Sequence, residues 1–259
     1  MSDGLRLLRH QLRYDLTILG RNRQARVFTI GMPIVMLVLF AAIFGNQYTR
    51  VGATQVRSST YYVANLAAFA VVDAAFMALA IALVFEREHG ILKRRRATPE
   101  PAWVVLASRA LTGAVTSLVL AGALLLFGRV AYGASVPVRM LPALAVTVMI
   151  GTISMCSLGF AAATAVRRAD AAQPVVTALT LPLFFASGIF IPWPLIPHWL
   201  QTVAVVAPVR HLAEAMLLPF SGGKGGAWAP WDLLVVAAWG VAGVVVAARR
   251  FSWSPAAAD

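Results

Sequence analysis

Six apolar runs, each about as long as a lipid bilayer is thick, decide what this chain can become. They lie at roughly 27–45, 61–85, 102–127, 140–166, 173–191 and 231–248 of the 259 residues. About 20 predominantly apolar residues carry a helix across ~30 Å of hydrocarbon. A soluble core has no place for runs of that length. Composition agrees: 12% of residues are charged and 60% hydrophobic, against about 25% and under half in soluble domains. The expected fold is an all-α integral membrane protein with six transmembrane helices.

The charges between the runs set the orientation. Fifteen of the 22 Lys and Arg fall in the N-terminal segment, in the second and fourth connections, and in the tail. Six fall in the alternate pieces, two in each: Arg50 and Arg57, Arg129 and Arg139, Arg210 and Lys224. The remaining one, Arg109, lies inside the third run. Lys and Arg collect on the cytoplasmic side, so both termini are predicted to be cytoplasmic. The net charge of +12 therefore does topological work. A nucleic-acid groove would need those cations on one water-facing surface, and their scatter between apolar runs argues against one.

Residues 171–209 carry no charge and six prolines: Pro174, Pro182, Pro192, Pro194, Pro197 and Pro208. The stretch is too long for one span and too short for two with a loop. Proline breaks helices unless neighbouring groups satisfy the freed backbone. The reading is one span to about residue 191, then an external re-entrant helical hairpin at about 191–218. A seventh span would put Arg249 and Arg250 outside, against the charge rule. Near the N-terminus, Leu5, Leu8, Leu12, Leu16 and Leu19 share one helical face bordered by Arg6, Arg9 and Arg13. That pattern predicts an amphipathic helix lying in the membrane interface, or packed on a cytoplasmic domain. Residues 1–26 do not read as a cleavable signal, since arginines stud them throughout. The expected organisation is an interfacial helix over 1–26, a six-span domain over 27–248 and a cytoplasmic tail over 249–259. The 221–227 stretch reads as a flexible external loop.

Catalytic chemistry finds little support. His10, His89, His198 and His211 lack HExxH spacing. The single cysteine, Cys156, allows neither an intrachain disulfide nor a cysteine metal site. Ser221-Gly222-Gly223-Lys224 is no P-loop, because Gly225 follows the lysine and Leu218 stands at the first glycine position. No catalytic role and no bound cofactor are expected of this chain. Asp73 is the one carboxylate in mid-span, where a charge costs ~2.5–3.5 kcal/mol. Two readings stand: a proton relay or cation contact, or a protonated acid bonded to Thr112, Thr116 or Ser154. Phe69 and Phe76, with Phe184, Phe185 and Phe190, are candidates to line an apolar path or simply to pack. Gly151 and Gly159, and the Ala121-Gly122-Ala123 patch, offer close-approach surfaces for a second copy of the chain or for packing within the bundle.

The second connection, residues 86–99, reads ERE-HGILKRRRATP. Its acids lead and its bases follow, as suits a short helix. Glu86-Arg87-Glu88-x-Gly90-x-Leu92, then Arg-Ala-Thr-Pro, resembles type-2 ABC exporter permeases, most nearly the daunorubicin-resistance-like drug and lipid exporters. Gly188 with the following Ile-Phe-Ile-Pro192, then Pro197 and Trp199, is similar to their hairpin after the fifth span. Pro208, His211 and Glu214 match the P-x-x-H-L-x-E-A segment. Together with the interfacial N-terminal helix and the six spans, the three motifs in order extend the likeness over almost the whole chain.

The resemblance implies the membrane half of an ATP-driven exporter in a bacterial cell membrane. Two permeases, identical or sibling, would pair with separate ABC ATPase subunits that hold ATP and Mg. Glu86, Arg87, Glu88, Gly90, Leu92 and Lys93 would couple to those subunits, and the cargo would be a hydrophobic or amphipathic small molecule. Departures are Asp73, where such permeases place small or apolar residues, and Arg50 and Arg57 in the first external piece. Two alternatives remain open: a cell-envelope polysaccharide or glycolipid exporter, and an ATP-independent, proton-coupled carrier using Asp73.

Overall fold

The computed structural model describes residues 3–21, 23–45, 47–51, 54–96, 102–134, 138–221 and 228–250. Side chains are not described at 3–5, 16, 18–20, 23–26, 28, 95–96, 102–103 and 105–106. Thr98 and Pro99, the loop at 222–227 with Lys224, and the tail at 251–259 lie outside the described residues.

Helix α1 (Asp3–Arg21) precedes α2 (Arg23–Phe44). A short antiparallel hairpin follows, β1 (Tyr48–Val51) with β2 (Thr54–Arg57), in the register Tyr48↔Arg57 and Arg50↔Gln55. The chain then enters α3 (Ser58–Val72), passes a π-helical turn (Asp73–Met77) and continues as α4 (Ala78–Glu88). Short α5 (Ile91–Arg96) leads to α6 (Ala102–Tyr132), α7 (Leu141–Ala165) and α8 (Ala169–Ala186). After these come α9 (His198–Ala204), α10 (Pro208–Leu217) and α11 (Pro230–Arg250).

Among the described residues, five helices are long and apolar enough to cross a membrane: Ser58–Glu88, Ala107–Tyr132, Val138–Ala165, Ala169–Ala186 and Pro230–Arg250. A sixth is reached if α9 and α10 count as one broken span, but they meet at a 93° bend. The first expected span falls on α2, whose apolar stretch Thr29–Phe44 is shorter than the other five. Prolines begin α7, α10 and α11, where a missing N–H leaves no bond unmade. Pro33, Pro174 and Pro182 lie inside helices, as membrane-spanning helices tolerate.

α3 forms the axis of the core, with every residue but Phe69 buried, packed by α2, α6, α7 and α10. Tyr62 stacks on Phe40 at 4.7 Å, and Phe69, Phe184 and Phe190 form one ring cluster with centroids 4.9–5.8 Å apart. α1 lies along α6, with Leu8 and Leu12 half-buried and Arg6, Arg9 and Arg13 exposed. Leu5, Leu16 and Leu19 carry no described side chain.

The closest helix pairing is α7 with α11, and glycine makes it possible. A Cβ at Gly240 would stand 2.6–2.9 Å from Ser154, and one at Gly243 2.8–3.0 Å from Ser157 and Leu158 backbone. Small residues let membrane helices approach this closely. Gly151 and Gly159 also pack within the chain, against Leu212 and Val71 and against the Ala75 and Phe76 carbonyls. Gly122 faces open space. Gly243→Val is therefore expected to force the pair apart and destabilise the fold by about 1–3 kcal/mol or more. Thermal aggregation in detergent is the measurement, with Gly122→Val expected to match the parent protein.

Candidate functional site

The last turn of α4 carries three consecutive ionic residues. Successive side chains on a helix diverge by about 100°, so neighbours in sequence reach different elements. Glu86 accepts a hydrogen bond and ion pair from Arg109 of α6. Arg87, 5% exposed, donates from Nη1 to the Ala163 carbonyl at 3.0 Å and from Nη2 to the Val166 carbonyl. Glu88 accepts the backbone N–H of Ala169, the first residue of α8.

Each tie answers a backbone or charge requirement. The last carbonyls of α7 lack intrahelical partners, and a guanidinium there also meets the negative end of the helix dipole. The first N–H groups of α8 are equally unpaired, and a carboxylate suits that end. Arg109 is a cation within an apolar helix and needs a carboxylate. One helical turn thus holds α6, α7 and α8 together.

Beyond it the chain reverses direction. Gly90 has φ +67° and accepts the Arg94 N–H at the start of α5, a backbone region that glycine enters without penalty. The His89 ring stacks on Phe85 at 4.0 Å and donates from Nδ1 to its carbonyl at 2.9 Å. Leu92 is buried and anchors α5, while Lys93 and Arg94 are exposed. Of the six residues expected to couple to an ATPase, Glu86, Arg87, Glu88 and Leu92 are engaged within the chain. Gly90 makes the turn, and Lys93 faces outward.

At the opposite end, Gly188 has φ +90° and closes α8, and its carbonyl accepts the Tyr61 hydroxyl at 2.5 Å. Pro192 and Pro197 open a 3-10 turn and α9. Trp199 is largely exposed and Pro208 buried. Arg210 pairs with Glu214 one turn along α10 and lies 3.9 Å over the Trp193 ring. His211 donates from Nδ1 to Asp232 of α11 and contacts the Val205 carbonyl through Nε2, both at 2.7 Å. Trp239 donates to the Val206 carbonyl at 2.9 Å. These contacts fix the 93° bend against α11.

Asp73 opens the π turn and is half-buried. No described residue hydrogen-bonds its carboxyl group. Thr116 turns back to the Thr112 carbonyl, the Thr112 hydroxyl is buried without a partner among the described residues, and Ser154 packs at Gly240. The three expected partners therefore leave Asp73 alone. π turns inside α-helices often mark functional positions. Phe69 and Phe76 belong to the packed core, and Phe69 packs with Phe184 and Phe190 in one ring cluster. No group of three or more metal-ligating side chains occurs among the described residues.

Sequence reading missed Arg109 as the partner of Glu86 and Asp232 as the partner of His211. A signal existed for the first, since an intramembrane cation implies a carboxylate nearby. Neither the β-hairpin nor the π turn was expected.

Residues 8–220 match the family model for the ABC-2 type transporter. No curated protein matches the chain. With most of its length covered by that match and its helices apolar enough to cross a membrane repeatedly, the chain belongs to the ABC-2 type transporter family, as a multi-pass permease subunit of an ABC transporter.

Proposed function

We propose that this permease works as an exporter, moving a hydrophobic or amphipathic small molecule across a bacterial plasma membrane. Two permease copies, or siblings, pair with ABC ATPase subunits that bind ATP and Mg. The observation that carries the reading is the three-way tie at residues 86–88. An ATPase pushing on α5 moves α4, and through it the ends of α6, α7 and α8 together. Such a push drives transport only if the permease states bind cargo differently. Lys93 and Arg94 form the outward contact, while Glu86, Arg87 and Glu88 transmit within the chain. The mostly apolar bundle and the resemblance to daunorubicin-resistance-like exporters favour a drug-like or lipid-like cargo over a polysaccharide. Family membership favours ATP coupling over an independent proton-coupled carrier.

In this arrangement both termini are cytoplasmic. α1 lies in the interface with its arginines near phosphates, and α9–α10 form a hairpin dipping into the outer leaflet. Labelling checks the orientation cleanly, because the single native cysteine is buried. A cysteine at Ser221 should react from outside and one at Ser252 should not; reaction of both would overturn the orientation.

The test of coupling is co-purification of the ATPase with the tagged permease, together with export by whole cells. The Lys93→Glu, Arg94→Glu double variant is expected to insert normally, lose the ATPase and lose export. Retained ATPase and full export would remove α5 from the coupling path.

A further inference from the structure

We propose that the groove at the Ser58 end of the bundle, opposite residues 86–96, binds the phosphodiester head group of a lipid. The inference goes beyond the exporter reading and does not depend on which side of the membrane this end faces.

The groove encloses about 260 Å³ and is lined by Arg50, Tyr61, Asn65, Trp193, Arg210 and Glu214, with a few apolar neighbours. It sits where four elements meet: the β-hairpin, the start of α3, the 3-10 turn after α8, and α10. Each wall is fixed. Thr49 and Ser58 share a hydrogen bond at 3.0 Å that holds the hairpin to α3. The Tyr61 hydroxyl ties α3 to Gly188, and Gln201 holds the 3-10 turn through the Trp193 and Ile196 carbonyls at 3.1 and 2.8 Å.

Charge selects the ligand. Two guanidinium groups and one carboxylate line the groove, leaving one net positive charge. Arg210 is held by Glu214 on one nitrogen and by the Trp193 face, so its orientation is set before any ligand arrives. No described carboxylate pairs with Arg50. A preorganised guanidinium fork beside a second one suits the oxygens of a phosphate. A phosphodiester carries a single negative charge at neutral pH and matches the single excess cation.

Size and surroundings point to a head group rather than a whole molecule. Pockets that bury drug-sized ligands span about 300–1,000 Å³, more than this groove offers. Beside it, the 3-10 turn and α9 expose Leu195 (71%), Trp199 (70%) and Val203 (62%). Exposed apolar surface of that kind suits hydrocarbon, so acyl tails can lie along it while the phosphate sits in the groove.

The experiment uses the full chain in detergent and titrates phosphatidylglycerol, with diacylglycerol as the lipid lacking phosphate. Saturable binding of phosphatidylglycerol is expected, with diacylglycerol at least tenfold weaker. Arg50→Gln and Arg210→Gln should each weaken phosphatidylglycerol about tenfold, the loss of one charge-assisted bond. Arg50→Lys, which keeps the charge and loses the fork, should weaken it less. Arg57 is the control: an exposed cation on the same hairpin that does not line the groove. Arg57→Gln should bind as the parent does. An equal loss in Arg57→Gln would mean general surface charge and overturn the site, as would equal binding of diacylglycerol. Glycerophosphoglycerol, the head group without tails, separates the sources. Binding as tight as that of the lipid would overturn the lipid assignment in favour of a soluble phosphodiester, and much weaker binding supports the lipid.

Discussion

Arg87→Gln is expected to lower the thermal stability of the purified permease by several degrees and to abolish export. Arg87 is 5% exposed and bridges the Ala163 and Val166 carbonyls at the end of α7. A hydrogen bond to a charged donor contributes about 1.5–3 kcal/mol, and a buried acceptor left unpaired costs its desolvation. Two such bonds vanish together in Arg87→Gln, because the shorter amide does not span both carbonyls. A loss of roughly 3 kcal/mol or more follows. Arg87→Lys keeps the charge but has no fork, so it should recover only part of the stability. The readouts are the aggregation temperature in detergent and export by whole cells. A parent-like temperature in Arg87→Gln would mean that the tie between α4 and α7 is dispensable.

The Glu86–Arg109 pair gives the same hub a different character. Its side chains keep 16% and 19% of their exposure, so the pair is mostly desolvated. Breaking such a pair leaves one buried charge without its partner. Glu86 Oε2 and Arg109 Nε are already buried without hydrogen bonds among the described residues. Arg87 clamps two carbonyls and leaves only its own Nε without a partner. Arg87 is therefore the stiffer tie, and Glu86 and Arg109 the ones with bonding capacity left for another arrangement of α6.

The positions of the long helices were legible because hydropathy adds up along the chain itself. An apolar run of 25 residues needs no knowledge of its neighbours to be read as a span. The breaks after α8 and between α9 and α10 were legible for a similar reason: prolines act where they stand, at Pro192, Pro197 and Pro208. Glu86, Arg87 and Glu88 show the limit. In sequence they form a solvated or partner-facing charge cluster, because their partners lie 23 to 81 residues away. Only the packing of α4 on α7 and α8 buries Arg87, half-buries Glu86 beside Arg109 and brings the exposed Glu88 to the start of α8. The π turn at Asp73 is invisible for another reason: it changes hydrogen-bond register without changing hydropathy. The β-hairpin at 48–57 is too short for its alternation to stand out between two apolar runs.

Gly90 separates the hub from the exposed part of α5, and its replacement is expected to break coupling while leaving the fold in place. Its φ of +67° lies in the left-handed region, and a Cβ there would meet nothing within 4 Å. The penalty of substitution is thus purely backbone, about 1–2 kcal/mol for an L-residue and more for a β-branched one. Valine relieves that strain by abandoning the reversal, which displaces Lys93 and Arg94 and pulls at Leu92 in its buried seat. The ties of residues 86–88 lie before the turn and hold regardless, so insertion and abundance should stay near parent levels. Asparagine enters the left-handed region more readily than other side chains. The expected order of export is therefore Gly90, then Asn, then Ala, with Val losing almost all of it. ATPase activity in the co-purified complex should become independent of cargo as export falls. Equal export across the series would show that the direction of α5 carries no signal, and the push would then have to enter the bundle elsewhere.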